Sequence, residues 1–136
     1  MGTAIAAVGL LLTLALLVWP ARPAADPLTS ARGRSRLLVV VAEREGHPAL
    51  LAQRRIVADH RSGFTERDLF LVEGVGDGPQ ARRLRERFGL GADGFRAVLV
   101  GKDGGAKLTA DQPLDAPKLF ATVDAMPMRQ EEMRGR

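Results

Sequence analysis

Residues that could act as an acid and a base lie just before and within the first predicted helix. Glu45 and His47 precede this helix, and Gln53 falls on its apolar side. An imidazole within hydrogen-bonding reach of a carboxylate can move protons in a concave pocket, which would suit an acid–base enzyme. We favour a surface or helix-capping role for His47, with the Gln53 amide satisfied by backbone or by Arg67. His60 is too distant from His47 for one helical face to present both to a metal ion.

Sulfur chemistry is restricted by the absence of cysteine from all 136 residues. Thiol nucleophiles, disulfides, dithiol redox centres, iron–sulfur clusters and thiolate zinc sites are therefore excluded. Met126, Met128 and Met133 could ligate Cu(I), which soft thioether sulfurs select. Methionine also fills gaps against a sheet, and we favour packing for these three residues. No metal or cofactor is predicted.

Arginine dominates the basic residues, and the formal net charge is +4. The arginines are spread over several elements and few aromatic rings accompany them, a pattern that is untypical of nucleic-acid-binding proteins. We predict a solvated arginine-rich surface without a nucleic-acid partner. The glycines of Gly74-x-Gly-x-Gly78 precede a helix, as in phosphate-binding loops, but they lack the spacing of a nucleotide fingerprint. A connecting loop is predicted there.

The N-terminal residues 1–25 are predicted to form a signal peptide or an N-terminal anchor. Residues 4–19 are uncharged and apolar, and small residues follow Pro20. This run is short for a membrane-spanning helix of about 20 residues, which favours a signal peptide and a periplasmic or secreted protein. Membrane attachment is expected only through an uncleaved N-terminus. Residues 26–34 are predicted to be a flexible tether without core-forming side chains.

The first half of the domain has the pattern of a β-α-β unit. Residues 37–42 form a continuous apolar run with β-branched residues at its centre, which predicts a strand buried on both faces. A helix is predicted from Pro48 to about His60, with Gly63 at its C-terminal end. A second strand is predicted over residues 67–73, parallel to the first.

The second half is predicted to contain a helix, a hairpin and a final helix. In the helix over residues 80–88, four arginines should face water: Arg82, Arg83, Arg85 and Arg87. The Lys102-Asp103-Gly104 turn lies between two apolar runs and predicts a β-hairpin. Asp115 can cap the last helix, which Pro127 should end or kink. Met126 should then be buried, and Arg129 should cap the helix end or bind a carboxylate.

This order, β-α-β-α-β-β-α, predicts an α/β thioredoxin-like fold with a central four-stranded mixed sheet flanked by helices. The domain is predicted to cover residues 35–134. Two segments within it carry a resemblance to a known family, together with Gln53 and the pair Arg67-Asp68. The two segments are Gly101-Lys102-Asp103-Gly104 and Asp124-Ala125-Met126-Pro127-Met128-Arg129.

These residues resemble the uncharacterised thioredoxin-like domain of bacterial exported proteins, which also occurs in vertebrate sushi-repeat and equarin-type extracellular proteins. The resemblance implies the fold and an exported setting, but no established activity. The family has been likened to peroxiredoxins, which need a thiolate at the start of the first helix. This chain has Glu43, Glu45 and His47 in that segment, and none of them can replace a thiolate.

We therefore predict a binding module without catalytic residues. Its binding surface is expected at the former active-site end of the domain, on Glu43, Glu45, His47, Gln53 and Phe95. A protein or an envelope component is the expected partner. A cysteine-independent enzyme near His47 and a methionine-based Cu(I) binder are the alternatives.

Overall fold

The computed structural model describes Gly2 and residues 25–136. Apart from Gly2 and Ala25, the predicted signal peptide or anchor lies outside the described residues. Within them, no helix is long and apolar enough to cross a membrane. The elements follow in this order: α1 Pro27–Ala31, β1 Arg36–Ala42, α2 Pro48–Asp59, α3 Arg61–Glu66, β2 Leu69–Val75, α4 Pro79–Phe88, β3 Phe95–Val100, β4 Ala106–Ala110, α5 Ala116–Asp124 and α6 Pro127–Arg134.

The four strands form one mixed sheet in the order β2-β1-β3-β4. Strand β1 is parallel to β2 and antiparallel to β3, and β3 is antiparallel to β4. The parallel neighbours pair Leu37 with Phe70 and Val39 with Val72. The predicted α/β fold with a four-stranded mixed sheet is therefore confirmed.

Strand β1 lies at the centre of the core, and each of its residues is buried. Leu38 and Val40 face a cluster that includes Leu119 of α5, whereas Leu37 and Val39 face a second cluster on the α4 side. Helices thus cover both faces of the sheet. This explains why the sequence of β1 is continuously apolar rather than alternating.

The flexible tether predicted over residues 26–34 is wrong, because these residues contain helix α1. Asp26 caps this helix and accepts a hydrogen bond from the Leu28 N–H. Leu28 and Ala31 are three residues apart and pack against the core on the α4 side. The Asp-Pro start and this apolar spacing were helix signals in the sequence.

The prediction that Gly63 ends the first helix is also wrong. Helix α2 ends at Asp59, and Gly63 lies inside α3. A Cβ atom at Gly63 would lie 2.6 Å from ring atoms of Phe120, so glycine here allows α3 to approach α5 closely. The second strand begins at Leu69, two positions later than predicted, after Asp68 takes up a positive φ of 48°.

The predicted features of the hairpin and the last helix are confirmed. Gly104 has a positive φ of 81° in the turn between β3 and β4, and Asp103 Oδ1 accepts the Gly105 N–H. Asp115 caps α5 by accepting the Lys118 N–H. Helix α5 ends before Pro127, which begins α6.

Candidate functional site

The predicted binding surface near the start of α2 is corrected at two of its five residues. Gln53 and Phe95 are fully buried, so neither can contribute to an exposed surface. Glu43 and Glu45 are exposed, and His47 is half-buried. Of the predicted surface, only the carboxylates of Glu43 and Glu45 and part of the His47 imidazole are accessible.

His47 has a structural role at this end of the domain, as predicted. Its Nδ1 accepts a hydrogen bond from the Ala49 N–H at 3.2 Å, which caps α2. Its ring stacks on Phe95, with ring centroids 6.2 Å apart. Within the described residues His47 forms no hydrogen bond to a carboxylate, so the geometry that an acid–base pair requires is not assembled there.

The Gln53 amide is satisfied by backbone, which confirms the interpretation that we favoured. Its Nε2 donates to the Leu114 carbonyl at 3.0 Å, and the Leu114 N–H donates to its Oε1 at 2.8 Å. Gln53 thereby joins α2 to the loop before α5. It has no free polar atom to offer to a substrate.

Glu45 is held in an ion-pair chain on the surface. Arg54 bonds to Glu45 at 2.9 Å and to Glu73 at 2.7 Å. The hydrogen bonds that Arg54 donates, first to Glu73 and then to Glu45, raise the pKa of Arg54. The Arg54 side chain thereby links α2 to β2 and holds the carboxylates of Glu45 and Glu73 beside its guanidinium.

A larger group of charges lies at the opposite end of the sheet, where β1 and β2 begin and β3 ends. We call it the ionic cluster. Its cations are Arg36, Arg67, Lys102 and Arg129, and its carboxylates are Glu66, Asp68, Asp124 and Glu132. Three of these eight residues, Lys102, Asp124 and Arg129, lie in the two motif segments, and Arg67 and Asp68 form the pair that accompanies them.

One half of the ionic cluster is centred on Glu132. The Arg36 guanidinium donates to both Glu132 oxygens, at 3.2 and 3.1 Å, and the Lys102 ammonium donates to one of them at 2.7 Å. Lys102 also donates to Asp68 at 3.0 Å. The turn of the hairpin is thereby joined to β1 and α6.

The other half is centred on Asp124. Arg67 donates to both Asp124 oxygens at 3.0 Å, and Arg129 Nε donates to one of them at 3.0 Å. Arg129 also reaches Glu66 at 3.1 Å. The prediction that Arg129 binds a carboxylate is therefore confirmed, whereas Met126 is half-buried rather than fully buried.

The carboxyl groups of Asp124 and Glu132, on which the two halves are centred, do not exchange protons readily near neutral pH. The hydrogen bond from Arg67, supported by Arg129, lowers the pKa of Asp124 although burial opposes it. Burial raises the pKa of Glu132, but the hydrogen bonds from Arg36 and Lys102 outweigh it, so this pKa is also lowered. Both groups are therefore ionised, and the ionic cluster is suited to holding structure and charge rather than to general acid–base catalysis.

A cavity of about 290 Å³ opens beside the ionic cluster. Its polar side includes Arg36, Lys102 and Lys107, and its apolar side includes Met126, Pro127 and Met128. The Arg36 side chain is only 1% exposed, yet its Nε has no hydrogen-bond acceptor among the described residues. The cavity thus has an apolar wall next to cations that are already paired with carboxylates.

The Cu(I) alternative finds little support in this arrangement. Met126 and Met128 line the cavity, but Met133 is not among its lining residues in the described part of the chain. The neighbouring Arg36 and Lys102 would also repel a metal cation.

Arg36 and Arg85 are arginines whose burial the sequence did not predict. Arg85 was predicted to face water, but it is buried and donates to the backbone carbonyls of Gly76 at 2.6 Å and Ala42 at 3.2 Å. It occupies the apolar side of α4 next to Leu84. For Arg36, the available signal was its position directly before the buried strand.

The fold and a family assignment are supported by comparison with known proteins. A model of the domain of unknown function DUF4174 matches residues 27–132. The crystal structure of the reduced 2-Cys peroxiredoxin of Plasmodium vivax is similar, with a TM-score of 0.57 and 14% identity, over 79% of this chain and 72% of that chain. At this identity the similarity concerns the fold, which is thioredoxin-like. No curated protein matches the chain.

Proposed function

Because this chain belongs to the family of the domain of unknown function DUF4174, we propose that its thioredoxin-like fold serves binding rather than redox catalysis. The observation that carries the proposal is the missing thiol. The segment that leads into α2 offers Glu43, Glu45 and His47 in place of a cysteine. A carboxylate or an imidazole cannot form the sulfenate or disulfide intermediates of a thiol enzyme.

A second argument comes from how the polar groups are used. The polar side chains of His47, Gln53 and Arg54 form their hydrogen bonds within the domain. The carboxylates of the ionic cluster do the same. The cavity beside the ionic cluster differs, because the large apolar side chain of Met128 is exposed in its wall. Function has to be argued from such sites rather than from the fold. We therefore place the binding site at the cavity.

The absence of redox activity is tested by insulin-reduction and peroxide-consumption assays on the full chain. We expect no turnover above the buffer rate, with a cysteine-containing thioredoxin as the positive control for insulin reduction and a peroxiredoxin as the positive control for peroxide consumption. Turnover that scales with the concentration of this protein would contradict the proposal.

The binding role is tested by affinity capture of a protein or envelope component from an envelope extract. Glu45→Lys and Met128→Glu alter opposite ends of the domain, and both side chains are exposed. Loss of a captured component with Met128→Glu alone supports binding at the cavity. Loss with Glu45→Lys alone would move the site to the surface near His47, and unchanged capture with both variants would contradict binding at either place.

Export is part of the proposal and is supported by the apolar run over residues 4–19. A fusion of residues 1–34 to alkaline phosphatase should be active in a bacterial host, because that enzyme requires the oxidising periplasm. Recovery of the processed fusion in the soluble periplasmic fraction would indicate a cleaved signal peptide. An unprocessed fusion in the membrane fraction would indicate an anchor, and an inactive fusion would contradict export.

A further inference from the structure

We propose that the protein contacts the surface of an anionic phospholipid bilayer through a groove between α1, α4 and the turn that joins β3 to β4. The groove has a volume of about 640 Å³. We call it the arginine groove, after its lining residues Arg32, Arg83 and Arg87. This inference goes beyond the proposed function and does not depend on the cavity beside the ionic cluster.

The three arginines of the groove have no carboxylate partner. None of them forms an ion pair in the described part of the chain, and residues 3–24 contain no Asp or Glu. All three residues are exposed. They differ in this respect from the buried Arg36 and Arg129, which are paired with carboxylates. The guanidinium groups of the groove are therefore available to anions from outside the chain.

Two of these side chains meet at the hairpin turn. The Arg87 guanidinium donates to the Gly104 carbonyl at 3.3 Å. The Arg32 side chain passes the same residue, because a Cβ atom at Gly104 would lie 3.7 Å from Arg32 Nε. Arg83 is four residues before Arg87 on the same face of α4, and like charges at this spacing repel each other. The fold thus gathers three cations in one groove, and an anionic surface would relieve their repulsion.

The acidic residues that line the groove do not cancel this charge. Asp103 pairs with Lys107 at 2.7 Å. Glu86 is four residues after Arg82, another exposed arginine of α4, so these two opposite charges share one helical face. Asp26 remains as a single carboxylate, which caps the N-terminus of α1. The groove therefore keeps an excess of positive charge.

The position of the groove in the chain indicates which anionic surface it meets. Residues 4–19 are uncharged and apolar, and residues 20–26 connect them to α1. An extended chain spans at most about 3.6 Å per residue, so this connection covers no more than about 25 Å. A signal peptide or an anchor brings residues 4–19 to a bilayer, and the attraction of anionic headgroups acts over about 10 Å at physiological salt. The bilayer that receives this run is therefore the partner that we assign to the groove.

Vesicle flotation of the full chain tests this surface. The vesicles contain phosphatidylcholine alone or an equal mixture of phosphatidylcholine and phosphatidylglycerol, and the measured quantity is the ratio of protein bound to the two. The apolar run is the same in every variant, so it does not affect a comparison between variants. We expect the wild type to prefer the anionic vesicles by about tenfold at low salt. High salt should remove this preference, because it screens exposed charges.

A matched pair of double variants separates the groove from the net charge. Arg83→Gln with Arg87→Gln removes two positive charges from the groove. Arg55→Gln with Arg61→Gln removes two from α2 and α3, which cover the other face of the sheet, and all four residues are exposed. Each arginine near an anionic surface strengthens binding by about fivefold. The first variant should therefore lose the preference for anionic vesicles and the second should keep it, with thermal unfolding verifying that both are folded.

The orientation of the domain on the bilayer can be measured because the chain has no cysteine. A single introduced cysteine can then carry an environment-sensitive fluorophore. Thr29→Cys places the label at the arginine groove, and Ala58→Cys places it at an exposed position of α2 on the other face of the sheet. We expect anionic vesicles to shift the emission of the Thr29→Cys label to the blue and to leave the Ala58→Cys label unchanged.

Several results would overturn the inference. Equal binding to neutral and anionic vesicles, equal loss with both double variants, or equal spectral shifts of both labels would show that the groove does not face the bilayer. Displacement from the vesicles by inorganic phosphate, with the ionic strength held constant, would show a site for a small anion instead. Stronger binding to a DNA duplex at equal phosphate concentration would show a general polyanion surface, and either result would remove the bilayer as the partner.

Discussion

Three arginines of the described chain are buried, and a different set of acceptors stabilises the charge of each. Arg129 is surrounded by carboxylates, and Arg36 shares Glu132 with Lys102. Arg85 donates to backbone carbonyls instead. A buried guanidinium is tolerated only when acceptors surround it, so removal of one partner costs more than the pair contributes. Single substitutions at these residues are therefore informative.

Arg129→Ala should destabilise the protein much more than Arg83→Ala. Arg129 is 1% exposed and bonds to Asp124 and Glu66, so its loss leaves both carboxylates with fewer donors. We expect the free energy of unfolding to fall by about 2–3 kcal/mol. Arg83 is exposed, and its substitution should change this free energy by less than about 0.5 kcal/mol. Urea denaturation of both variants measures the difference, and equal midpoints would show that the α6 segment is loosely held.

Gln53→Leu should lower the free energy of unfolding by about 2 kcal/mol, because it deprives the buried Leu114 backbone of both amide hydrogen bonds. Gln130→Leu is a matched control on an exposed position of α6. Denaturation midpoints of the two variants test this. A Gln53→Leu protein as stable as the wild type would show that water replaces the amide.

Among the elements, the contact between α3 and α5 depends on the absence of a side chain. Phe120 packs edge-on against Phe64, with ring centroids 5.5 Å apart, and the Arg67 guanidinium lies 4.1 Å from its ring centroid. The ring is thus confined on several sides and lies against Gly63. Glycine usually destabilises a helix, but at this position the absence of a side chain allows α3 and α5 to pack together.

Gly63→Ala should therefore destabilise the protein, although alanine is the better helix former. The added Cβ would lie 2.6 Å from the Phe120 ring, and overpacking of this kind costs about 1–3 kcal/mol. Gly91→Ala is the control, because no atom lies within 4 Å of its Cβ position. Thermal unfolding should show a lower midpoint for Gly63→Ala only. A raised midpoint would mean that the Phe120 ring moves aside easily.

On the scale of the whole molecule, the ionic cluster joins segments that are far apart in the chain. The Arg36–Glu132 pair links β1 to α6, the Lys102–Asp68 pair links the hairpin turn to the start of β2, and the Arg67–Asp124 pair links α3 to α5. Acid should weaken the links through Asp124 and Glu132 together, because the pKa of each of these carboxyl groups is lowered by its partners. The pH dependence of stability is therefore a property of the cluster.

The stability of the wild type should fall as the pH is lowered from about 5 to about 2. The folded-state pKa of Glu132 lies below its unfolded value, so its contribution is complete above the unfolded pKa and is lost as pH falls through the folded pKa. Glu132→Gln should be less stable at pH 7 and should show a shallower pH dependence. Glu131→Gln, exposed on the same helix, should keep the wild-type slope. Identical slopes for the wild type and Glu132→Gln would contradict the role of the cluster.

Much of the fold could be read from local patterns, because local interactions determine those features. The continuous apolar run of β1 indicated a central strand, and Asp103-Gly104, Asp115 and Pro127 correctly marked a turn, a cap and a helix boundary. The site near His47 was predicted less well. Gln53 is buried where its amide bonds to Leu114 in the loop before α5, and Phe95 is buried in the cluster that contains residues of β1 and α5.

The sequence by itself determined that thiol chemistry is impossible, that the domain contains a β-α-β unit and a hairpin, and that Asp103-Gly104 makes a turn and Asp115 a helix cap. Only the tertiary structure decided that Arg36, Lys102 and Glu132 meet, since they are separated by most of the domain and local periodicity carries no information on such contacts. It also decided that Arg36 and Met128 line one cavity. The electrostatic cost of burying a cation is met by whichever acceptors the fold brings to it, and only the folded chain specifies these acceptors.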